Sequence, residues 1–208
     1  MKLVSFNTNS IRMRAHQLEA LINAHNPEVI GIQETKVTDE EFPTEMVKDL
    51  GYHAEFFGQK THYGVALLSK QPPSTVIKGL PGDAEDSQRR LITGTYDLQE
   101  HGPVTIINGY FPQGESRAHP TKFPAKAAFY KGLIDLLKTQ YHPQDKLVVM
   151  GDMNIAPVDQ DIGIGADNQK RWLRDGKTSF LPEEREWLSE LTDWGLSDTY
   201  RAVYPEID

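Results

Sequence analysis

Asn7, Glu34, Tyr110, Asp152 and Asn154 all carry oxygen donors, and each falls at or just past the end of an apolar run. Lys2–Phe6 leads into Asn7, and Glu28–Ile32 into Gln33-Glu34-Thr35. Val104–Ile107 leads into Asn108-Gly109-Tyr110, and Leu147–Met150 into Gly151-Asp152-Met153-Asn154. Taken singly, Asn7 reads as a turn residue, Glu34 as an exposed charge and Asp152 as a cap or Asx turn. Together, four polar clusters behind four strand-like runs describe one acidic, amide-rich pocket at the end of a sheet. Its donors are oxygens, which suits Mg²⁺ or Mn²⁺ better than zinc. Phosphate-ester hydrolysis needs a cation at the phosphoryl oxygens, a carboxylate to take a proton from water, and donors for developing charge. Glu34 is the candidate ligand of the ion and Asp152 the candidate base. Asn154, two residues on, can hold that carboxylate or donate to phosphate, and Asn7 can support from beside it. The Tyr110 hydroxyl is a phosphate donor or proton carrier.

The elements that must position these groups follow from pattern. A strand is followed by a helix over Arg14–His25, which Asn26-Pro27 stops, and by a strand from Glu28. Glu40–Leu50 reads as a second helix. Tyr52–Phe57, Tyr63–Ser69, Ser74–Lys78 and Leu91–Asp97 read as short strands between Gly, Pro and polar turns, which favours mixed sheets. Lys122–Thr139 is an amphipathic helix with Ala125, Phe129, Leu133, Leu136 and Leu137 in the core. Pro182 opens a last helix that Gly195 closes, with Trp187, Leu188, Leu191 and Trp194 on its core face.

The chain of 208 residues, 38% hydrophobic and 25% charged, fits one soluble domain. It holds no cysteine, which excludes disulfides, thiolate nucleophiles and Cys-bound zinc, and a cytoplasmic location is expected. No apolar run approaches the roughly 20 residues that span a bilayer. A net charge of −8 argues against coating nucleic acid electrostatically. It still permits a local basic rim, for which Arg12, Arg14, Gln88-Arg89-Arg90, Arg117 through Lys126, Lys170-Arg171 and Arg174 are candidates.

Ser5-Phe6-Asn7-Thr8-Asn9, Ile32-Gln33-Glu34-Thr35-Lys36, Tyr110-Phe111-Pro112-Gln113-Gly114-Glu115-Ser116-Arg117 and Gly151-Asp152-Met153-Asn154 resemble the signatures of exonuclease III-type apurinic/apyrimidinic endonucleases. These belong to the endonuclease/exonuclease/phosphatase superfamily. The matches run from Met1 to about Tyr200, and the Tyr110–Arg117 stretch singles out the DNA-repair branch. The resemblance implies an α/β (α+β) fold, a four-layer αββα sandwich of two mixed β-sheets with helices outside. It implies Mg²⁺-dependent cleavage 5′ to abasic sites and 3′→5′ removal of nucleotides and 3′ blocking groups from duplex DNA. Carried over, Asn7, Glu34, Asp152 and Asn154 form the metal set, and Tyr110, Asp152 and Asn154 the catalytic set. Arg90, Gln113, Arg117 and Lys122 become DNA-backbone contacts.

The family pattern also includes a late aspartate, a closing Asp-His pair and a DNA-inserting loop, none of which has a counterpart here. His16, His25, His53, His62, His101, His119 and His142 are expected in helices or loops, outside the closing pair's setting, although His53 also falls in the strand read over Tyr52–Phe57. The expectation is therefore a single 1–208 domain, C-terminally incomplete and truncated before its last strands. It would be a monomer unless its open sheet edge is covered by a partner. The alternative function is an impaired fragment that binds metal or DNA without turnover.

Overall fold

The computed structural model describes residues 1–98 and 102–207, and the chain forms two compact units. The first comprises Met1–Tyr110 with Lys146–Met153, and the second Phe111–Asp145 with Asn154–Asp208. In the first unit β1 (Leu3–Asn7), β2 (Val29–Gln33), β4 (Val65–Ser69) and β3 (His53–Phe57) lie side by side in that order. β1 and β2 run parallel, while β2–β4 and β3–β4 are antiparallel. The second sheet has the order β5 (Thr75–Lys78), β6 (Leu91–Leu98), β7 (Gly102–Tyr110) and β8 (Leu147–Asp152). Here only β7 and β8 are parallel. Both sheets are thus mixed.

Every residue of β2 and of β4 is buried, as expected of strands covered on both faces. Ile30, Ile32, Ala66 and Leu68 pack with Leu18 of α1 (Ala15–His25) and Val47 of α2 (Thr44–Asp49). Val29, Val65 and Leu67 turn to the other face and meet Ile92, Tyr96, Ile106 and Met150 of the second sheet. The period of two along each strand therefore builds helix on sheet on sheet. α1 ends on Asn26 in the left-handed conformation, whose N–H bonds the Ile22 carbonyl. The helix expected over Glu40–Leu50 starts only at Thr44, because Pro43 just before it has a non-helical ψ of 61°. β4 likewise starts two residues later than expected, since Tyr63 and Gly64 have positive φ.

In the second unit α3 (Lys122–Gln140) packs on α5 (Pro182–Trp194) through Trp187, 5.5 Å from Phe123 and 6.0 Å from Tyr130 by ring centroids. Phe129, Leu133, Leu136 and Leu137 are buried as expected, but Ala125 is exposed and Lys126 takes the buried position beside it. On α5 only Leu191 of the four anticipated core residues is fully buried; Trp187, Leu188 and Trp194 are half-buried. α4 (Ala166–Arg174) was not expected, because its sequence is mostly polar and buries no residue fully. α6 (Thr199–Val203) is capped by Asp198, whose side chain accepts from the Arg201 N–H. Among the described residues, no helix is long and apolar enough to cross a membrane.

Candidate active site

Each sheet contributes the carboxyl ends of its one parallel pair. Asn7 closes β1 opposite Gln33 of β2, and Tyr110 closes β7 opposite Asp152 of β8. Glu34 follows β2 with a φ of 54°, and Asn9, Lys36 and Tyr63 around it are also in the left-handed region. Non-glycine residues there cost on the order of 1–3 kcal/mol each and cluster at functional sites. The bends are held by backbone bonds: Ser10 N–H to the Glu34 carbonyl at 2.8 Å, Thr35 N–H to Gly64 at 3.1 Å and Lys36 N–H to Tyr63 at 3.0 Å. Gly151 is required beside Asp152. Its φ is 141°, and a Cβ there would lie 1.9 Å from the Gly109 carbonyl oxygen.

The Asn7 side-chain amide joins the two sheets. Its Nδ2 donates to Glu34 Oε1 at 2.8 Å and to Asp152 Oδ2 at 2.9 Å. Its Oδ1 accepts from the Asn9 N–H at 3.0 Å. Asn7, expected as a metal ligand, thus offers nitrogen rather than oxygen to the carboxylates. In this arrangement it is a clamp that brings the two carboxylates together. Glu34 Oε2 also pairs with Lys36 Nζ at 2.9 Å, and the Tyr110 hydroxyl hydrogen-bonds the same carboxylate.

Burial pushes the Glu34 carboxyl up, but bonds from Asn7, Lys36 and Tyr110 outweigh it and hold it below the usual carboxylate range. The stability this confers is complete above the unfolded pKa and is lost as pH falls through the lowered value. Tyr110 is moved the other way. Its burial, then the Glu34 charge and the hydrogen bond to it, raise the phenol well above its ordinary value. At neutral pH the hydroxyl is a donor.

Two carboxylates aimed at one NH₂ group are like charges held close, a geometry completed by a cation. Mg²⁺ commonly sits on one or two carboxylates and keeps several waters, so this donor set fits it. Among the described residues there is no group of three or more His, Cys, Asp or Glu side chains that could hold an ion, so the two carboxylates would share a bound ion with water.

Arg90 departs from the expected solvated rim. It is 8% exposed, and its guanidinium stacks 4.1 Å from the Tyr63 ring and 4.8 Å from the Tyr110 ring. Its Nη1 donates to the Tyr110 carbonyl at 2.9 Å and its Nε to Gln88 Oε1 at 2.6 Å. Burial lowers its pKa, offset in part by the two tyrosines and Glu34. In this position it braces Tyr110.

The remaining site candidates lie in the second unit. Asn154 has a φ of 53°, and its Nδ2 donates to the Phe111 carbonyl at 2.9 Å. Gln113 donates to Thr178 Oγ1 at 2.9 Å. Arg117 grips Glu183 with two bonds of 2.5 and 2.7 Å, and Lys122 pairs with Glu115 at 2.6 Å. The rim cations Arg117 and Lys122 are therefore locally balanced by acids. Lys126, grouped with them by sequence, is 0% exposed and pairs at 2.6 Å with the equally buried Glu184. The same ammonium donates to the Asn154 carbonyl at 2.7 Å and the Gln113 carbonyl at 3.3 Å. Its spacing to Phe129, Tyr130, Leu133, Ile134 and Leu137 is that of one helical stripe, a signal that could have located it in the core. His119 accepts the Thr121 and Lys122 N–H groups on Nδ1 at 3.3 and 3.1 Å and so caps α3. His101 lies outside the described residues.

Known proteins share this arrangement of sheets and sequence. The chain is 56% identical over 205 residues to Exodeoxyribonuclease III of Haemophilus influenzae, covering 99% of this chain and 76% of that one. The structure of NExo, a 3′ phosphatase from Neisseria bound to product DNA hairpin, superposes with a TM-score of 0.86 at 34% identity, covering all of this chain and 76% of that one. An AP endonuclease from Archaeoglobus fulgidus superposes with a TM-score of 0.87 at 29% identity over 99% of this chain and 75% of its own. The chain thus spans about three quarters of each of these proteins. Residues 4–206 match the Endonuclease/Exonuclease/phosphatase family, and with this fold, these strand ends and these relatives the chain belongs to that family.

Proposed function

We propose that the chain is a Mg²⁺-dependent DNA-repair nuclease of the cytoplasm, with Mn²⁺ as a substitute ion. Its substrate is double-stranded DNA carrying abasic sites or 3′ ends. It removes nucleotides 3′→5′, cleaves 5′ to abasic sites and clears 3′-phosphate and related 3′ blocking groups. One observation carries the reading: the Asn7 amide is shared by Glu34 and Asp152, which come from opposite sheets. When bound, a divalent ion neutralises the phosphoryl oxygens and polarises the scissile bond.

The protein's own groups divide the remaining work. Glu34 and Asp152 hold the ion. Asp152 also orients the attacking water and takes its proton. Tyr110, protonated and braced by Arg90, donates to a phosphate oxygen as negative charge grows there. Asn7 keeps the carboxylates from separating.

The test is a duplex with a single tetrahydrofuran abasic analogue. Incision 5′ to the analogue with Mg²⁺ or Mn²⁺, and none in EDTA, is expected. No incision with either ion overturns the reading. Glu34→Gln should raise the Mg²⁺ concentration for half-maximal rate by about tenfold or more. Glu40→Gln, at an exposed position, should leave it unchanged. Equal shifts in the two variants would remove Glu34 from the ion site.

A further inference from the structure

Directly behind the carboxylates, two buried amides cross the apolar layer between the sheets. Asn108 of β7 is 0% exposed and Gln33 of β2 is 1% exposed. Asn108 Nδ2 donates to the Ile32 carbonyl at 2.9 Å and the Ala66 carbonyl at 3.0 Å, both on the opposite sheet. Its Oδ1 accepts from Gln33 Nε2 at 2.6 Å. The other Gln33 N–H is shared between the Gly31 carbonyl at 3.1 Å and Ser5 Oγ at 3.2 Å. Two backbone carbonyls on Nδ2 leave only one sensible orientation for the Asn108 amide. Gly31 makes room for the crossing: a Cβ there would lie 2.8 Å from Asn108 Oδ1 and 2.6 Å from Met150 Cε.

The position of this bridge gives it meaning. Asn108 pairs with Met150 in the β7–β8 register, and the next same-face pair is Tyr110 with Asp152. That is one pleat repeat, roughly 6.6–6.8 Å along the strands. Gln33 directly precedes Glu34. The site itself is split between the sheets, Asn7 and Glu34 on one and Tyr110 and Asp152 on the other. Its geometry therefore depends on how far apart the sheets stand at this end. Packed apolar side chains hold sheets together but tolerate sliding, whereas a fully satisfied buried amide has one geometry and is costly to break. If cohesion alone were needed, an apolar pair of similar volume would serve about as well.

We infer that Asn108, with Gln33 as its partner, is a positioning residue. It fixes the spacing and register of the two sheets so that Glu34 and Asp152 can address one ion and one phosphate. The inference deepens the proposed function and rests on it.

The test uses the full chain as Asn108→Leu and as the double variant Asn108→Leu/Gln33→Met, which removes both amides at nearly constant volume. The single variant leaves Gln33 without its acceptor and is expected to melt lower. The double variant should melt above the single one but below the unsubstituted protein, because the Ile32 and Ala66 carbonyls lose their donor in both. Both should show kcat on the abasic duplex about tenfold lower with KM unchanged, and Mn²⁺ affinity by electron paramagnetic resonance weakened by a similar factor. A double variant with kcat and Mn²⁺ affinity both restored would overturn the inference, as would a loss confined to KM. If the unsubstituted chain binds Mn²⁺ but does not cut, the proposed function fails, and the Mn²⁺ comparison still decides the bridge.

Discussion

Asp152→Asn is expected to lower kcat on the abasic duplex by about 10²–10⁴-fold while leaving the melting temperature within a few degrees. The two properties separate because of what Asp152 touches. Its Oδ2 accepts the Asn7 NH₂ at 2.9 Å, and the carbonyl oxygen of an asparagine can accept the same bond. Shape and hydrogen bond survive the change, and relief of the repulsion from Glu34 offsets what is lost in the clamp. The negative charge and the proton-accepting capacity do not survive, because an amide is not a base. Steady-state kinetics beside a thermal melt checks this. A variant retaining a third or more of wild-type kcat would remove Asp152 from the role of base.

Lys126→Met is expected to be the most destabilising single change. Lys126 and Glu184 are both fully buried, and Glu184 Oε2 also accepts the Ser179 and Leu181 N–H groups at 2.7 and 2.9 Å. Deleting one partner of such a pair leaves the other charge uncompensated, at about 3–5 kcal/mol. For a chain of this size that lowers the melting temperature by roughly 10 °C. The loss should also loosen the loops that the ammonium ties together at Gln113 and Asn154. The double variant Lys126→Met/Glu184→Gln removes both charges, and its amide can still accept at the start of α5. It is expected to recover more than half of the lost melting temperature. Differential scanning calorimetry of the three proteins checks the pair, and a single variant melting within 2 °C or so of wild type would show that the charge is solvated elsewhere.

Much of the site was legible because strand ends are local events. Apolar runs leading into Asn7, Glu34, Tyr110 or Asp152 announce both the strand and what it delivers, and the structure places these four together in one unit. The misreadings concern charge and orientation. Arg90 and Lys126 were counted with the basic surface because composition treats a charge as solvated. Each is buried by partners remote in the chain, Lys126 by Glu184 and Arg90 by the Tyr63 and Tyr110 rings. No short window of sequence contains both members of such a contact, although the helical stripe from Lys126 to Leu137 did mark Lys126 as inward-facing. Asn7 was assigned its oxygen, and only the Asn9 N–H, two residues away, turns the amide so that nitrogen faces the carboxylates. α4 escaped notice because six of its nine residues are polar and Ala166, Trp172 and Leu173 alone are apolar, and the second helix was overextended because Pro43 was not allowed to end it at its start.

The clamp between Asn7 and Asp152 spans 145 positions of the polypeptide. Its amide is made almost at once by the ribosome, and its second acceptor emerges roughly 10–30 s later at ordinary rates of synthesis. Throughout that interval a growing chain carries Asn7 and Glu34 without the Asp152 carboxylate that the clamp joins to them. The pocket's two carboxylates can therefore meet on one amide only once β8, the last strand among the described residues, has docked beside β7.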